Sequence, residues 1–398
     1  MKLLIYSHFF APGVGGVETI VRSLAEGLAQ LRSPSGSREC DVTLITETPA
    51  GNFRDSELPF PIIRQPSSTQ LWKHIRQADV LHIAGPALLP LFFARLIGTP
   101  TLVEHHGYQA ICLNGLLIHQ PDQAVCPGHF QAKRYGECVK CQRSEMSAPK
   151  AFIELLKGFA RSWLVRRAQK NIAVSDHVVR RVALPNTVRI YHGITVPESV
   201  GLSPSPTQAT EKICFAFVGR FVPEKGISVL LEACSLLAAE NLDFQVRLIG
   251  DGPIRAEVDA SIQSKNLQRY VSITGYLSGS QLAEALQDVA VVVMPSVWEE
   301  TAGLSAIEQM FRGRLVIASD IAGLAEMVAD AGLLFPTGDP KALAACMRSV
   351  IVNPTQIDSL GKKARERALQ LFQQDRMVKQ HFELYRDVAT RTSRSHNS

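Results

Sequence analysis

The sequence predicts an α/β protein built of two doubly wound, parallel-sheet domains in tandem, and three observations lead there. Short apolar runs recur along the 398 residues, amphipathic helical patterns separate them, and one aperiodic stretch, "PESVGLSPSPTQATEK", interrupts the alternation near its middle. Runs that are apolar at every position suit strands covered on both faces, as parallel strands are. Alternation of strand and helix is the pattern of βαβ units, and a chain of this length exceeds what one core ordinarily organises.

In the first half "KLLIYS", "DVTLIT", "ADVLHIA", "TPTLVEHH", "KNIAVS" and "VRIYHGI" read as strands, with "VETIVRSLAEGLAQL" and "LLPLFFARLIG" among the helices between them. The Pro-, Ser- and Thr-rich stretch reads as a linker. Beyond it "ICFAFVG", "FQVRLIG", "VSITGY", "VAVVVMP", "RLVIAS" and "AGLLFP" resume the pattern without close sequence repetition. The expected domains are residues 1–197, carrying a cysteine-rich insertion at about 108–148, and residues 211–375, joined by a linker at 198–210. Residues 376–398 are expected to form a helix returning to the first domain, its polar end frayed from about Thr390.

Composition is that of a globular protein, 46% hydrophobic and 20% charged, and no apolar run reaches membrane-spanning length. The opening "MKLLIYSHFF" lacks a small-residue cleavage site and reads as a first strand, which sets the expectation of a cytoplasmic chain. Residues 1–200 hold 22 Lys and Arg against 15 Asp and Glu, and the remainder 20 against 22. An anionic surface or substrate would therefore meet the first half, with ordinary surface solvation as the plainer reading. Aromatics are not interleaved with the basic residues, so no nucleic-acid partner is expected.

Open parallel sheets bind ligands at the carboxyl ends of their strands. "FVGRFVPEKG" places Arg220 and Lys225 just past the first strand of the second half. An arginine fork and a compact ammonium suit a diphosphate, though two surface cations would read the same. "WEETAGLSAIE" follows the strand "VAVVVMP". There Gly303 would open a helix, and the amides of Gly303, Leu304 and Ser305 would point beyond the strand end, where phosphate is attracted. Glu308 lies one turn into that helix, in reach of a ribose hydroxyl, and Glu300 sits on the loop near the other end of a bound molecule. Carboxylates so separated span a ligand and do not form a hydrolytic pair; a capping, solvated pair is the alternative.

Together "GRFVPEKG" and "WEETAGLSAIEQM" resemble the paired motifs of retaining glycosyltransferases of GT-B architecture, particularly glycosyltransferase family 4. The resemblance runs over nearly the whole chain: "PGVGGVETIVRSLAEGLA" is similar to the family's glycine loop and first helix, and "EHHGY", "IAVSD", "GDGP", "ITGYLS", "VVMPSVWEE" and "AGLAEMV" follow in the family's order. It implies two Rossmann-like domains facing a central cleft. It implies that Gly219, Arg220 and Lys225 bind the donor diphosphate, that Gly303, Leu304 and Ser305 add backbone donors, that Glu308 holds the ribose and that Glu300 holds the sugar hydroxyls. Gly15 and Gly16 would lie near the phosphate and acceptor, and His106 near the reacting carbon, with His105 competing for that role. The chain departs from the family's pattern at Ala302, often aromatic, at Leu315, often Pro, at His192-Gly193, usually Asn-Gly, and at "SPSGSRECDV" after the first helix.

The implied reaction moves a hexose from a nucleotide diphosphate sugar to an acceptor hydroxyl with retention, in polysaccharide, glycolipid or glycoside synthesis. Arg220, Lys225 and the helix N-terminus would stabilise the departing diphosphate, so no cofactor or catalytic metal is expected. A GT-B sugar-nucleotide epimerase and a non-catalytic sugar-nucleotide-binding protein share the architecture and stand as alternatives. The acceptor would be a carbohydrate or a lipid-linked one. "KAFIELLKGFARSWLVRRAQK" sets Phe152, Leu156, Phe159 and Trp163 on one helical face beside Lys150, Lys157, Arg161, Arg166, Arg167 and Lys170. That face is expected in the core; contact with an anionic membrane is the alternative.

Half of the eight cysteines, Cys112, Cys126, Cys138 and Cys141, fall within "CLNGLLIHQPDQAVCPGHFQAKRYGECVKC". A long loop with little apolar periodicity needs something to order it. Four thiolates can hold a structural zinc, and Cys138 and Cys141 have the spacing of half a site, while Cys112 and Cys126 are further apart. His119 or His129 would substitute as ligand; two disulfides or free thiols are the alternatives, disulfides being disfavoured in a reducing compartment. Cys40, Cys214, Cys234 and Cys346 are expected in core positions.

Overall fold

The computed structural model describes residues 1–195 and 212–395, and the expected linker at 198–210 lies outside the described residues. Two compact units form: Met1–Thr195 with Phe372–Ser398, and Val196–Leu371. The second unit thus closes at Leu371, short of the expected residue 375.

The first unit holds a seven-stranded sheet of β1 (Lys2–Ser7), β2 (Asp41–Thr46), β3 (Ile62–Arg64), β4 (Val80–Ala84), β5 (Thr101–His105), β8 (Lys170–Ala173) and β9 (Thr187–Arg189). Their order across the sheet is β3-β2-β1-β4-β5-β8-β9, every pair parallel. A two-stranded antiparallel hairpin, β6 (Ile118–His119) and β7 (Ala124–Val125), lies in the cysteine-rich insertion. The second unit holds a six-stranded parallel sheet, ordered β12-β11-β10-β13-β14-β15. Its strands are β10 (Ile213–Val218), β11 (Phe244–Ile249), β12 (Val271–Gly275), β13 (Val291–Met294), β14 (Leu315–Ser319) and β15 (Leu333–Phe335). The continuously apolar runs supply the cores: β4, β5, β13 and β14 are buried at every position. Strand direction reverses its winding between β1 and β4 in one sheet and between β10 and β13 in the other, the switch points where such sheets open a crevice.

Two expectations are corrected. The polar end from Thr390 stays helical, because the helix Gln374–Ser395 continues through it with Arg391 and Asp387 paired one turn apart at 2.8 Å. The helix Ala148–Val165 does not turn its bulky face to the core. Ala151, Leu155, Gly158, Leu164 and Val165 face inward, while Phe152, Ile153, Leu156, Phe159 and Trp163 are 37–56% exposed. Small residues on the inner side set the close approach: a Cβ on Gly158 would meet Leu113 Cδ2 at 2.4 Å. Of the scattered cysteines, Cys40, Cys214 and Cys234 are buried and Cys346 is half-buried.

The helix Gln374–Ser395 packs on the helix Gly16–Gln30 and reaches the sheet through Tyr385, whose hydroxyl is hydrogen-bonded to His82 Nδ1 at 2.9 Å, both side chains fully buried. Tyr385→Phe would strand that ring nitrogen at an expected cost of about 1–3 kcal/mol. Urea unfolding of the first unit should show the midpoint fall without a change in slope.

Candidate functional site

In the second unit, glycines let three strand ends close on one another. After β10 the chain turns through Gly219, Arg220 and Phe221, with Gly219 N donating to Ile249 O at 3.0 Å and Phe221 N to Asp251 O at 2.8 Å. Side chains would forbid this: a Cβ on Gly250 would fall 1.8 Å from Gly219 O, and one on Gly252 2.4 Å from Phe221 O. Pro223–Lys225 then makes a single 3-10 turn ended by Gly226 at φ +67°, whose Cβ would lie 1.9 Å from Pro295 O. Only glycine tolerates both that φ and that approach, so the turn carrying Lys225 is pressed against the end of β13.

The consequence is an ion pair across the switch point. Lys225 Nζ lies 2.8 Å from Glu300 Oε1, and the Ser296 hydroxyl donates to the same oxygen. Glu300 is buried; burial is the largest influence and opposes its ionisation, but the Lys225 ammonium and the Ser296 hydroxyl among its hydrogen-bond partners together hold the carboxyl below the usual carboxylate range. The loop itself is fixed by Gly323, whose amide donates to Glu300 O at 2.8 Å and whose Cβ would meet Thr301 O at 2.0 Å. Gly303, at φ +83°, caps the helix Leu304–Phe311. The amides of Ala306 and Ile307 close on its carbonyl at 3.0 and 3.2 Å, so Leu304 and Ser305 present the first-turn amides that have no intrahelical partner. Glu308 is half-buried on this helix; burial pushes its carboxyl up, with Arg312 opposing. Arg220 stands exposed on the β10 loop. The sequence-derived residues of this unit therefore share one sheet edge, and Ser296 is added to them.

The first unit places Gly15 and Gly16 after β1, where the chain enters the helix Gly16–Gln30 in extended conformation, φ −169° at Gly15. His105 and His106 leave the end of β5 in opposite directions. His105 Nε2 meets Asn171 Oδ1 at 2.9 Å inside the sheet, and burial lowers its pKa to about 4. That accounts for His105 structurally. His106 Nδ1 meets His192 Nε2 at 3.0 Å, and its Nε2 stands 3.6 Å from Glu104 Oε2, leaving only 4% of the side chain exposed. Glu104 gathers two more imidazoles, His82 Nε2 at 3.2 Å and His381 Nε2 at 3.5 Å. Burial opposes its ionisation, and His106, His381 and His82 nevertheless hold it well below the usual range. Burial lowers the pKa of His82 and His106, and that of His192 to about 3. Sequence reading passed over Glu104, His82 and His381, and named His192 only as a departure from the family's pattern. The signal within reach was the two-residue alternation of "EHH", which puts Glu104 and His106 on one strand face. Cys112, Cys126, Cys138 and Cys141 all line one small cavity of the insertion, as free thiols.

Two family models match successive parts of the chain: Glycosyltransferase Family 4 over residues 14–196, and Glycosyl transferases group 1 over residues 202–367. The 2-deoxystreptamine glucosyltransferase of Streptomyces kanamyceticus is 33% identical over 152 residues, 38% of this chain and 39% of that protein. The poly(ribitol-phosphate) alpha-N-acetylglucosaminyltransferase of Staphylococcus aureus is 26% identical over 262 residues, 65% of this chain and 51% of that protein. The chain thus spans about two fifths to one half of the length of these relatives. Among solved structures, Anabaena HepE in complex with UDP superposes with a TM-score of 0.70 at 17% identity, covering 97% of this chain and 100% of that one. Sucrose-phosphate synthase from Thermosynechococcus elongatus gives 0.69 at 22% identity, covering 97% and 98%. These likenesses establish the GT-B fold.

Removing the ammonium from beside Glu300 has a defined pH signature. A carboxyl whose folded pKa is depressed adds stability above its unfolded value, about 4.3, and loses it as pH falls through the folded value. Lys225→Ala should therefore destabilise the second unit by about 3 kcal/mol at pH 7, with the difference from wild type shrinking as pH falls from 7 towards about 4 and below, because burial leaves the unpaired Glu300 carboxyl readier to take up a proton. Chemical denaturation across that range measures it.

Proposed function

The chain is a GT-B protein of the glycosyltransferase family 4 kind, and on that premise we propose that it transfers a hexose from a nucleotide diphosphate sugar to an acceptor hydroxyl with retention at the anomeric carbon. The observation that carries the reading is the Lys225–Glu300 pair, with Arg220 nearby in sequence and a helix N-terminus following, at the β10–β13 switch point. Loss of the diphosphate builds negative charge, which Arg220, Lys225 and the Leu304 and Ser305 amides offset without a divalent ion. An arriving diphosphate competes for the Lys225 ammonium and releases Glu300 to accept hydrogen bonds from sugar hydroxyls. Glu308 takes the ribose. The leaving phosphate shields the cationic carbon and accepts the acceptor's proton, so no protein nucleophile is assigned. Gly15, Gly16 and His106 are assigned to the phosphate, acceptor and sugar side, the His106 ring being oriented by Glu104 and His192. The likeness to HepE, solved with UDP, supports a nucleoside diphosphate leaving group. A thermal-shift screen of nucleotide sugars should identify the donor. Arg220→Ala and Lys225→Ala should each lower turnover by about 10²-fold or more; wild-type rates in both would overturn the mechanism. Donor conversion without acceptor would instead show an epimerase, and binding without turnover a sensor.

We further propose that the protein is cytoplasmic and meets its acceptor at an anionic membrane surface. No described helix is long and apolar enough to cross a membrane. The helix Ala148–Val165 packs against the helix Leu88–Ile97, which exposes Leu89, Phe92 and Leu96 in its turn. Lys150, Lys157, Arg161, Arg166, Arg167 and Lys170 flank the first of these helices, and Arg167 lies 3.9 Å over the Trp163 ring. Apolar side chains ringed by cations are the composition of an interfacial helix. Vesicles containing phosphatidylglycerol should co-sediment the protein and neutral vesicles should not. Phe152→Ser with Trp163→Ser should cut binding about a hundredfold or more, each lost apolar side chain contributing more than 1.4 kcal/mol; equal recovery on both lipids would remove the proposal.

A further inference from the structure

The glycosyl-transfer reading makes no use of the insertion after β5, and the insertion gathers four cysteines around one cavity. Its four cysteines come from separate pieces of chain: Cys112 from the turn after β5, Cys126 from just beyond β7, and Cys138 and Cys141 from the helix Tyr135–Arg143. They converge on one cavity of about 20 Å³, with His119 and His129 in its wall. That volume admits one water molecule or one ion.

Both donors and acceptors face the sulphurs: Cys112 Sγ donates to Asn114 Oδ1 at 2.9 Å and Cys141 Sγ to Ile118 O at 3.5 Å. Gln120 N lies 3.4 Å and Asn114 Nδ2 3.6 Å from Cys141 Sγ. A neutral thiol is a weak acceptor and gains little from such donors, whereas a thiolate gains from each.

His119 supplies an independent observation. Its Nδ1 is bound to Asp122 Oδ2 at 2.6 Å, while its Nε2 is buried at the cavity without a hydrogen-bond partner, the nearest carboxylate oxygen being Glu137 Oε2 at 3.9 Å. A carboxylate on one ring nitrogen with the other left free is the arrangement that surrounds metal-bound imidazoles. His129 Nδ1 is buried and unpartnered in the same wall.

We propose that this cavity binds one zinc ion through Cys112, Cys126, Cys138 and Cys141, with His119 lining the site as a neighbour able to replace a thiolate. Zinc is chosen by the soft, four-sulphur donor set. Binding releases the four thiol protons to solvent and leaves a zinc tetrathiolate, towards which the Gln120 amide and Asn114 Nδ2 already point. No three of the sulphurs lie mutually within the 4.8 Å that the His82–Glu104–His381 group satisfies, so coordination draws the hairpin β6–β7 and the helix Tyr135–Arg143 together. The ion would hold the insertion where Arg181 Nη2 donates to Cys126 O at 2.6 Å and Gln131 Nε2 to Arg181 O at 2.9 Å, fixing it to the segment that follows β8.

Protein purified without chelator should carry about one zinc per chain. Cys126→Ser and Cys138→Ser should lose it, and Cys346→Ser, remote from the cavity, should keep it. Cobalt(II) exchanged into the wild-type chain should give thiolate-to-metal charge transfer and tetrahedral ligand-field bands, a readout that does not depend on any variant folding. Four loop thiols that react freely in native protein, two disulfides found by mass spectrometry before reduction, zinc retained in both loop variants, or a cobalt spectrum without sulphur ligation would each overturn the site. Nucleotide-sugar binding, read separately by thermal shift, would be untouched by that failure.

Discussion

Parallel pairing is the constraint from which the rest follows. Every ladder in the seven- and six-stranded sheets is parallel, so each sheet is covered on both faces and all its strands finish at one edge. Chemistry-bearing residues need only sit a few positions past a strand end to become neighbours. Lys225 and Glu300 are 75 residues apart in sequence and make a 2.8 Å contact for this reason. Glycines then set how near the strand ends come, because at Gly226, Gly250 and Gly323 a single methyl would collide with a backbone oxygen of the next strand's loop.

The two units treat buried carboxylates differently. Glu300 is balanced by an ammonium that is itself 20% exposed and thus open to competition from an anion. Glu104 lies among His82, His106 and His381 in a fully enclosed position. Of these, His82 and His106 are weak bases made weaker by burial, and the carboxylate fixes the orientation of the rings around it. One arrangement suits exchange with a ligand, the other suits rigidity.

Much of the fold was legible because the signal was local. Runs such as "VAVVVMP" and "RLVIAS" are apolar at each position and became the buried strands β13 and β14. Strands β3, β6 and β7 escaped notice because two or three residues carry no period. The strand-end residues of the second unit were legible from glycine spacing together with charge. The Glu104 cluster was not, since Tyr385 and His82 are 303 residues apart and no local pattern joins them. The helix Ala148–Val165 misled for a physical reason: bulk was taken to mark the inner face, while Ala151 and Gly158 mark it by permitting close packing.

The C-terminal helix gives the chain an order of assembly. Residues 374–395 belong with the first 195, packing on the helix Gly16–Gln30 and completing the surroundings of Glu104 with His381. A ribosome emits them only after the whole second unit has been synthesised. The second sheet can therefore close while the first still waits for its final helix, and the unit begun earliest is finished last. Until His381 and Tyr385 arrive, Glu104 and His82 face a gap in their own core, so the nascent first unit depends on keeping that surface from wrong partners throughout translation.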